Sequence, residues 1–341
     1  MRYLLSGILL ALVCAPLLSE DVELIYRDGV WVQLPPPAEG TPEGESAIVR
    51  RDLKQQNFAL AVEHANRFLS RYGGSPLREE VMFQAGNAEL AQKRYWQAYQ
   101  WYERQLKDFP GGNYSDQAMA KEMEVAGAFL AGAKRPTLGV FMVSAQDEGL
   151  DILHKIAERA PNSDRAELAL LAVAEYYVKD HRYEQAAEAY DAFLRLFPKS
   201  PRAPQAEYAA ADSYLRDYRG ASFDETPLIE AQQRFKAFAE HYPAASRQHD
   251  VDAVLGRILD LRAARLYQTT QFYLKLDHPT AAAEYCRILL REYPDSAYAS
   301  SAQRTLDRLE NRPALPVSPA PAPANVPANA PSTQPYAKEK L

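Results

Sequence analysis

Tyr293-Pro294-Asp295-Ser296 closes a helical run late in the chain, and the same kind of turn occurs five times before it. The unit is an aromatic or small residue, then Pro or Gly, then a small polar turn. It appears as Tyr72-Gly73-Gly74-Ser75-Pro76, Phe109-Pro110-Gly111-Gly112, Ala160-Pro161-Asn162-Ser163, Phe197-Pro198-Lys199-Ser200 and Tyr242-Pro243-Ala244-Ala245-Ser246. With residues 73, 110, 161, 198, 243 and 294 taken as equivalent, the spacings are 37, 51, 37, 45 and 51. The short value is close to the period of about 34 residues of tetratricopeptide helix pairs, with extra residues in three units.

Other positions fall into the same register. Twelve residues before each turn stand Ala61, Ala98, Gly149, Ala186, Ala231 and Ala282, small side chains of the kind that close helix crossings need. Eight before stand Ala65, Tyr102, Leu153, Tyr190, Phe235 and Cys286, mostly bulky and apolar. Fifteen before, Phe58, Tyr95, Tyr183, Leu228 and Pro279 open the second helices. In the first helices Gly86 and Ala174 sit 24 before their turns, and Ala211 joins them once an insertion at about Gly220 to Pro227 is allowed. These regularities predict an all-α, tetratricopeptide-like α-solenoid of about six helix pairs over residues 46–311, the first helix of the third unit being the least defined. Arg135-Pro136-Thr137 and the apolar stretch Leu138 to Ser144 lengthen the third unit. From His249 to Leu276 the pattern runs on without a breaker, which predicts an unusually long first helix in the sixth.

The flanks differ in kind. Arg2 followed by the apolar stretch Leu4 to Leu18 reads as an export signal over residues 1–19, with an N-terminal transmembrane anchor as the alternative. Cys14 is a candidate lipidation site, although Val13 stands where a small residue is needed; otherwise it is an ordinary residue of the signal. The other cysteine, Cys286, falls on a core face, so packing rather than a disulfide must hold the fold. Residues 20–45 hold Asp28-Gly29 between β-prone runs, the signature of a short hairpin, followed by a linker beginning at Pro35-Pro36-Pro37. Residues 312–341 contain eight Pro and seven Ala and read as a disordered tail, either a tether or inert.

A net charge of −6, with no basic run interleaved with aromatics, argues against nucleic acid as a partner. The six histidines never form a zinc-binding helix pair, and Cys-x-x-Cys, a nucleophile elbow and a phosphate-cradling loop are all missing. No enzyme, cofactor, metal or small-molecule substrate is expected; the expected partners are proteins. Tyrosine is abundant, 21 copies against 12 Phe. A tyrosine at helical spacing buries its ring and presents its hydroxyl. Trp96 and Trp101 fall off the stripe made by Tyr95, Tyr99 and Tyr102, which marks one of them as a candidate exposed anchor or as a lid under the third unit's extra chain. Tyr176, Tyr177, Tyr208, Tyr214 and Tyr218, on first helices, are the other candidate groove residues.

The last units carry a more particular pattern. Asp252-Ala253-Val254-Leu255-Gly256-Arg257-Ile258 opens the long helix, which continues through Ala263-Ala264-Arg265-Leu266-Tyr267 to Phe272-Tyr273-Leu274-Lys275. Ala281-Ala282-Ala283-Glu284-Tyr285-Cys286-Arg287 and Glu292-Tyr293-Pro294-Asp295-Ser296 follow. Over residues 46–311 the chain resembles the BamD family, outer-membrane lipoproteins that help assemble β-barrel proteins. The resemblance implies a barrel-inserting partner at the C-terminal repeats, nascent outer-membrane proteins at the N-terminal ones, and membrane association if Cys14 is lipidated. It transfers no individual contact residue. The alternative is a periplasmic repeat adaptor for cell-wall or division enzymes. In either case the chain is expected in the bacterial envelope.

Overall fold

The computed structural model describes residues 24–27, 30–33, 38–137 and 141–311. The export signal with Cys14, the Pro35–Pro37 linker and the C-terminal tail lie outside them. The chain divides into two compact units, residues 1–206 and 207–341.

Unit 1 begins with an antiparallel pair, β1 (Leu24–Arg27) and β2 (Val30–Gln33), in which Arg27 pairs with Val30. The pairing is that of the expected N-terminal hairpin, with Asp28 and Gly29 outside the described residues. Four helix pairs follow: α1 (Pro42–Lys54) with α2 (Phe58–Arg71), α3 (Arg78–Ala91) with α4 (Tyr95–Asp108), α5 (Ser115–Leu130) with α6 (Gln146–Arg159), and α7 (Asp164–Lys179) with α8 (Tyr183–Leu196). From α2 to α7, each second helix also packs on the next first helix, so the pairs stack. Local chemistry starts the helices cleanly in places. Gly44 N–H donates to Thr41 Oγ1 at 3.1 Å ahead of Pro42, and Ala166 N–H donates to Ser163 Oγ at 3.1 Å.

The first helices end in one repeated way. Gln56, Lys93 and His181 occupy the same place relative to their closing turns, and each has φ near +60° (62°, 59° and 59°). In each case the following N–H reaches back across the last turn: Asn57 to Asp52 O, Arg94 to Glu89 O and Arg182 to Tyr177 O. This is the Schellman closure. In the third pair the left-handed residue is Gly132, with φ of 101°, and Ala133 N–H closes on Ala128 O.

After Gly132 the structure departs from the helical expectation. Residues 134–137 and 141–144 are not helix but a second hairpin, β3 (Lys134–Thr137) paired antiparallel with β4 (Phe141–Ser144). The physical reason lies in the residues. Pro136 cannot continue a helix, and Phe141 and Val143 favour a pleated strand. The short apolar run reads equally well in either state. The hairpin accounts for the third unit's long spacing. Arg135 fastens it, its guanidinium lying 5.3 Å from the Trp96 ring centroid and pairing with Glu148.

The small positions behave as helix crossings require. Ala61, Ala98 and Ala186 are fully buried and Gly149 is buried. Glu79 and Glu167, which share one register position, tie first helices to the following turns. Glu79 accepts from Asn113 N–H at 3.0 Å and Tyr114 N–H at 2.7 Å; Glu167 accepts from Ser200 Oγ at 2.6 Å and Arg202 Nη1 at 2.9 Å.

Unit 2 takes α9 (Ala203–Asp217) from Glu207 onward. Its Ala211 and Leu215 share a core with Leu228, Ala231, Phe235 and Phe238 of α10 (Thr226–His241). The insertion expected at residues 220–227 falls in the loop between these helices and the first residues of α10. The short α11 (Pro243–Gln248) ends at Asp250, whose φ of 48° redirects the chain into α12 (Val251–Lys275). At 25 residues, α12 is the long helix that the pattern predicted. It pairs with α13 (Pro279–Glu292) through Asp277, whose φ is 55°, and α14 (Ala299–Glu310) packs on α13. Ala231, Ala282 and Cys286 are fully buried.

Candidate protein-binding surface

The aromatic candidates are placed by the helix pairs, and none stands free in solvent. Trp96 is half-buried against the main core of unit 1, its ring 5.6 Å from Tyr99 on one side and under Arg135 on the other. It therefore supports the hairpin rather than presenting an open anchor. Trp101 packs on a separate cluster built from Val49, Ala65, Phe68, Val81 and Ala85. Tyr176 and Tyr177, adjacent on α7, lie 5.8 Å apart, with Arg182 over the Tyr177 ring at 4.6 Å. Burial raises the Tyr176 hydroxyl above its ordinary pKa.

In unit 2, Tyr208 stacks on His249 at 4.3 Å and meets Phe235 edge-on at 5.5 Å. Tyr214 lies under Arg234 at 4.8 Å, and Tyr218 packs against the same core. Burial raises the Tyr208 and Tyr218 hydroxyls as well. The five tyrosines thus belong to two separate units, each ring partly buried.

The large apolar side chains that do face solvent lie elsewhere. Phe272 and Leu276, one helical turn apart at the C-terminal end of α12, are 56% and 51% exposed. Beside them, at the turn into α13, lies an open cleft of about 680 Å³ whose lining includes Tyr273, Asp277, His278, Thr280, Glu284 and Arg287. Tyr273 is held in a stack on Tyr285 at 5.3 Å, and Arg287 is fixed between Glu284 at 3.2 Å and Glu310 at 3.0 Å. An exposed apolar pair next to a cleft whose lining carries both charges has the composition of a surface that takes another protein. The Phe272-Tyr273 pair was visible in the sequence; its exposure was not.

A second feature escaped sequence reasoning altogether. In unit 1, Glu103 of α4, Glu122 of α5 and Lys155 and Arg159 of α6 converge on Tyr99. Arg159 donates to Glu103 at 2.6 Å and to Glu122 at 3.2 Å, and Lys155 Nζ donates to Tyr99 Oη at 2.8 Å. Glu122 is 0% exposed, and burial pushes its carboxyl up to about 8 despite Arg159. Glu103, although burial opposes it, is held below the usual carboxylate range by the hydrogen bond and charge of Arg159. Glu122 is sealed at the inner end of the network, while Glu103, Lys155 and Arg159 reach solvent. Among the described residues there is no cluster of His, Cys, Asp and Glu able to hold a metal. No helix among them is long and apolar enough to cross a membrane.

The helix pairs, small crossing residues and αL closures of the two units define a tetratricopeptide-type α-helical protein. Within that class, the YfiO outer membrane lipoprotein family model matches residues 144–313, from the end of the hairpin through α14. Two relatives bear the name outer membrane protein assembly factor BamD. The Haemophilus influenzae protein is 27% identical over 159 residues, covering 44% of this chain and 61% of that protein. The one from Neisseria meningitidis serogroup B is 24% identical over 166 residues, covering 46% and 62%. Over these residues the chain is BamD-like, and it spans less than two thirds of the length of the relatives it matches. Among solved structures, a tetratricopeptide repeat protein from Parabacteroides merdae is similar at 13% identity, with a TM-score of 0.34 and coverage of 79% of this chain and 99% of that one. A TPR repeats protein from Bacteroides fragilis is similar at 13% identity and a TM-score of 0.39, covering 79% and 98%.

Proposed function

We propose that this chain is a non-catalytic scaffold of the bacterial envelope that assists assembly and insertion of outer-membrane β-barrel proteins, working at the periplasmic face of the outer membrane. The observation that carries the reading is the BamD-like segment, residues 144–313, which contains the apolar rim of Phe272 and Leu276 and its neighbouring cleft. Two exposed apolar side chains beside charged groups fixed in place suit a specific protein partner, for which a barrel-inserting protein is the natural candidate. Tyr176, Tyr177, Tyr208, Tyr214 and Tyr218 are proposed as further contacts through their exposed edges. Residues 1–19 would export the chain.

Depletion in the native host tests the reading. Folded outer-membrane barrels, followed by heat-modifiable migration, should fall while exported soluble proteins keep their levels. Unchanged barrel levels after depletion would remove the proposal.

A further inference from the structure

The β3–β4 hairpin plays no part in the BamD-like match, which begins at its last residue. Every residue of β4 is exposed, Phe141 and Met142 at 65% and 56%. Successive strand residues point to opposite faces. Both faces of β4 are therefore open, and a partner applied to one face of the hairpin would leave the other apolar face in water.

Charge and polarity also run along the hairpin. Its base carries Lys134, exposed and paired with Ser144, and then Arg135, paired with Val143. Its far end is the Thr137–Phe141 pair. Residues 134–144 contain two basic side chains and no acidic one; Arg135 is paired with Glu148, which leaves Lys134 as the exposed cation of the hairpin. An exposed lysine at the base with an apolar end on both faces complements an anionic lipid surface, where the ammonium meets headgroups and the apolar side chains enter the acyl boundary. Pro136 brings no N–H to β3, which leaves one fewer donor needing a partner outside water.

We propose that the β3–β4 hairpin is a membrane-contact element: Phe141, Met142 and Val143 insert shallowly into an anionic lipid surface, with Lys134 at the headgroups. Depth is limited by the backbone. A two-stranded sheet has open edges, which hydrocarbon does not tolerate, so only the side chains pass the headgroups, to roughly 5–10 Å. Arg135, clamped between Trp96 and Glu148, fixes the angle at which the hairpin leaves the helices. This contact is independent of any anchor at the N-terminus.

The test uses the full chain on phosphatidylethanolamine–phosphatidylglycerol vesicles with brominated acyl chains. Phe141→Trp and, as a control on an exposed helix position of the same unit, Leu196→Trp are compared with the parent chain. Fluorescence added at 141 should be quenched at least several-fold more than that added at 196. Phe141→Asp/Met142→Asp should lower vesicle affinity about tenfold with an unchanged unfolding midpoint. Equal quenching at the two positions would overturn the proposal, even if the N-terminus holds the chain on the vesicle. Undiminished quenching on purely zwitterionic vesicles would overturn the anionic assignment. Shielding of position 141 only after addition of envelope protein would replace lipid by a protein groove and overturn the proposal too.

Discussion

Gly86 lies directly against the ring of Tyr102: a Cβ on Gly86 would stand 2.4 Å from ring Cε1. The ring cannot yield, because Tyr102 is fully buried and its hydroxyl donates to Asn87 Oδ1 at 2.8 Å. Helix α3 can approach α4 at this crossing only because position 86 has no side chain.

Gly86→Ala therefore sets two effects against each other. Alanine in a helix gains about 1 kcal/mol over glycine, while forced overpacking costs about 1–3 kcal/mol. With a clash this deep the cost wins, and the expected result is a lower urea midpoint. Combining it with Tyr102→Leu should recover part of the loss, a coupling readable in a double-mutant cycle. An increase in stability for Gly86→Ala alone would contradict the crossing.

Lys93→Gly should have the opposite sign. Lys93 holds φ of 59° at the closure of α3, a conformation that costs an L-residue about 1 kcal/mol more than glycine. Some of the gain is lost to the freer unfolded chain. The expected result is stabilisation by a few tenths to about 1 kcal/mol, with similar effects for Gln56→Gly and His181→Gly. Thermal unfolding followed by circular dichroism checks it.

Glu122 should make unit 1 weaken as pH rises. Its folded pKa, raised by burial to about 8, exceeds the ordinary carboxylate value of 4.5. Between those values the folded state binds the extra proton. The stabilisation is thus complete below about pH 4.5 and is lost as pH climbs through about 8. Glu122→Gln removes the titration, so its stability relative to the parent should improve from pH 5 to pH 9, by on the order of a few kcal/mol. Glu103, held low, acts in the opposite sense and loses its contribution on acidification. A pH-independent difference between variant and parent would contradict the assignment.

Glu79→Ala should cost about 2–3 kcal/mol. It strips the acceptor from two backbone donors, Asn113 and Tyr114, and leaves the turn into α5 unsatisfied. Hydrogen exchange at those two amides should accelerate most; unchanged protection there would speak against the tie.

The residues that could be read from sequence are those whose chemistry permits one structural answer. Ala61, Ala98, Ala186, Ala231 and Ala282 recur because crossing helices admit little else, and all are buried. The hairpin of β3 and β4 was not legible because a short apolar run fits either period, although Pro136 and the extra residues set the third unit apart. The αL closures were hidden because Gln56, Lys93, His181 and Asp277 are not glycine. Glu103, Glu122 and Arg159 are far apart in sequence, and nothing local marks Glu122 as buried. The candidate surface was half legible. Phe272-Tyr273 stood out as a pair, but which aromatics face solvent depends on packing that composition does not encode, as the covered Trp96 illustrates.

The central claim, a BamD-like scaffold that binds a barrel-inserting protein, is tested most directly by affinity purification of the chain from native envelope, with quantitative identification of what accompanies it. The wild-type chain should recover the barrel-inserting protein in near-stoichiometric amount, and Phe272→Asp/Leu276→Asp should reduce that recovery at least tenfold while retaining helicity. Recovery of cell-wall enzymes without a barrel-inserting protein, or equal recovery by the variant, would contradict it.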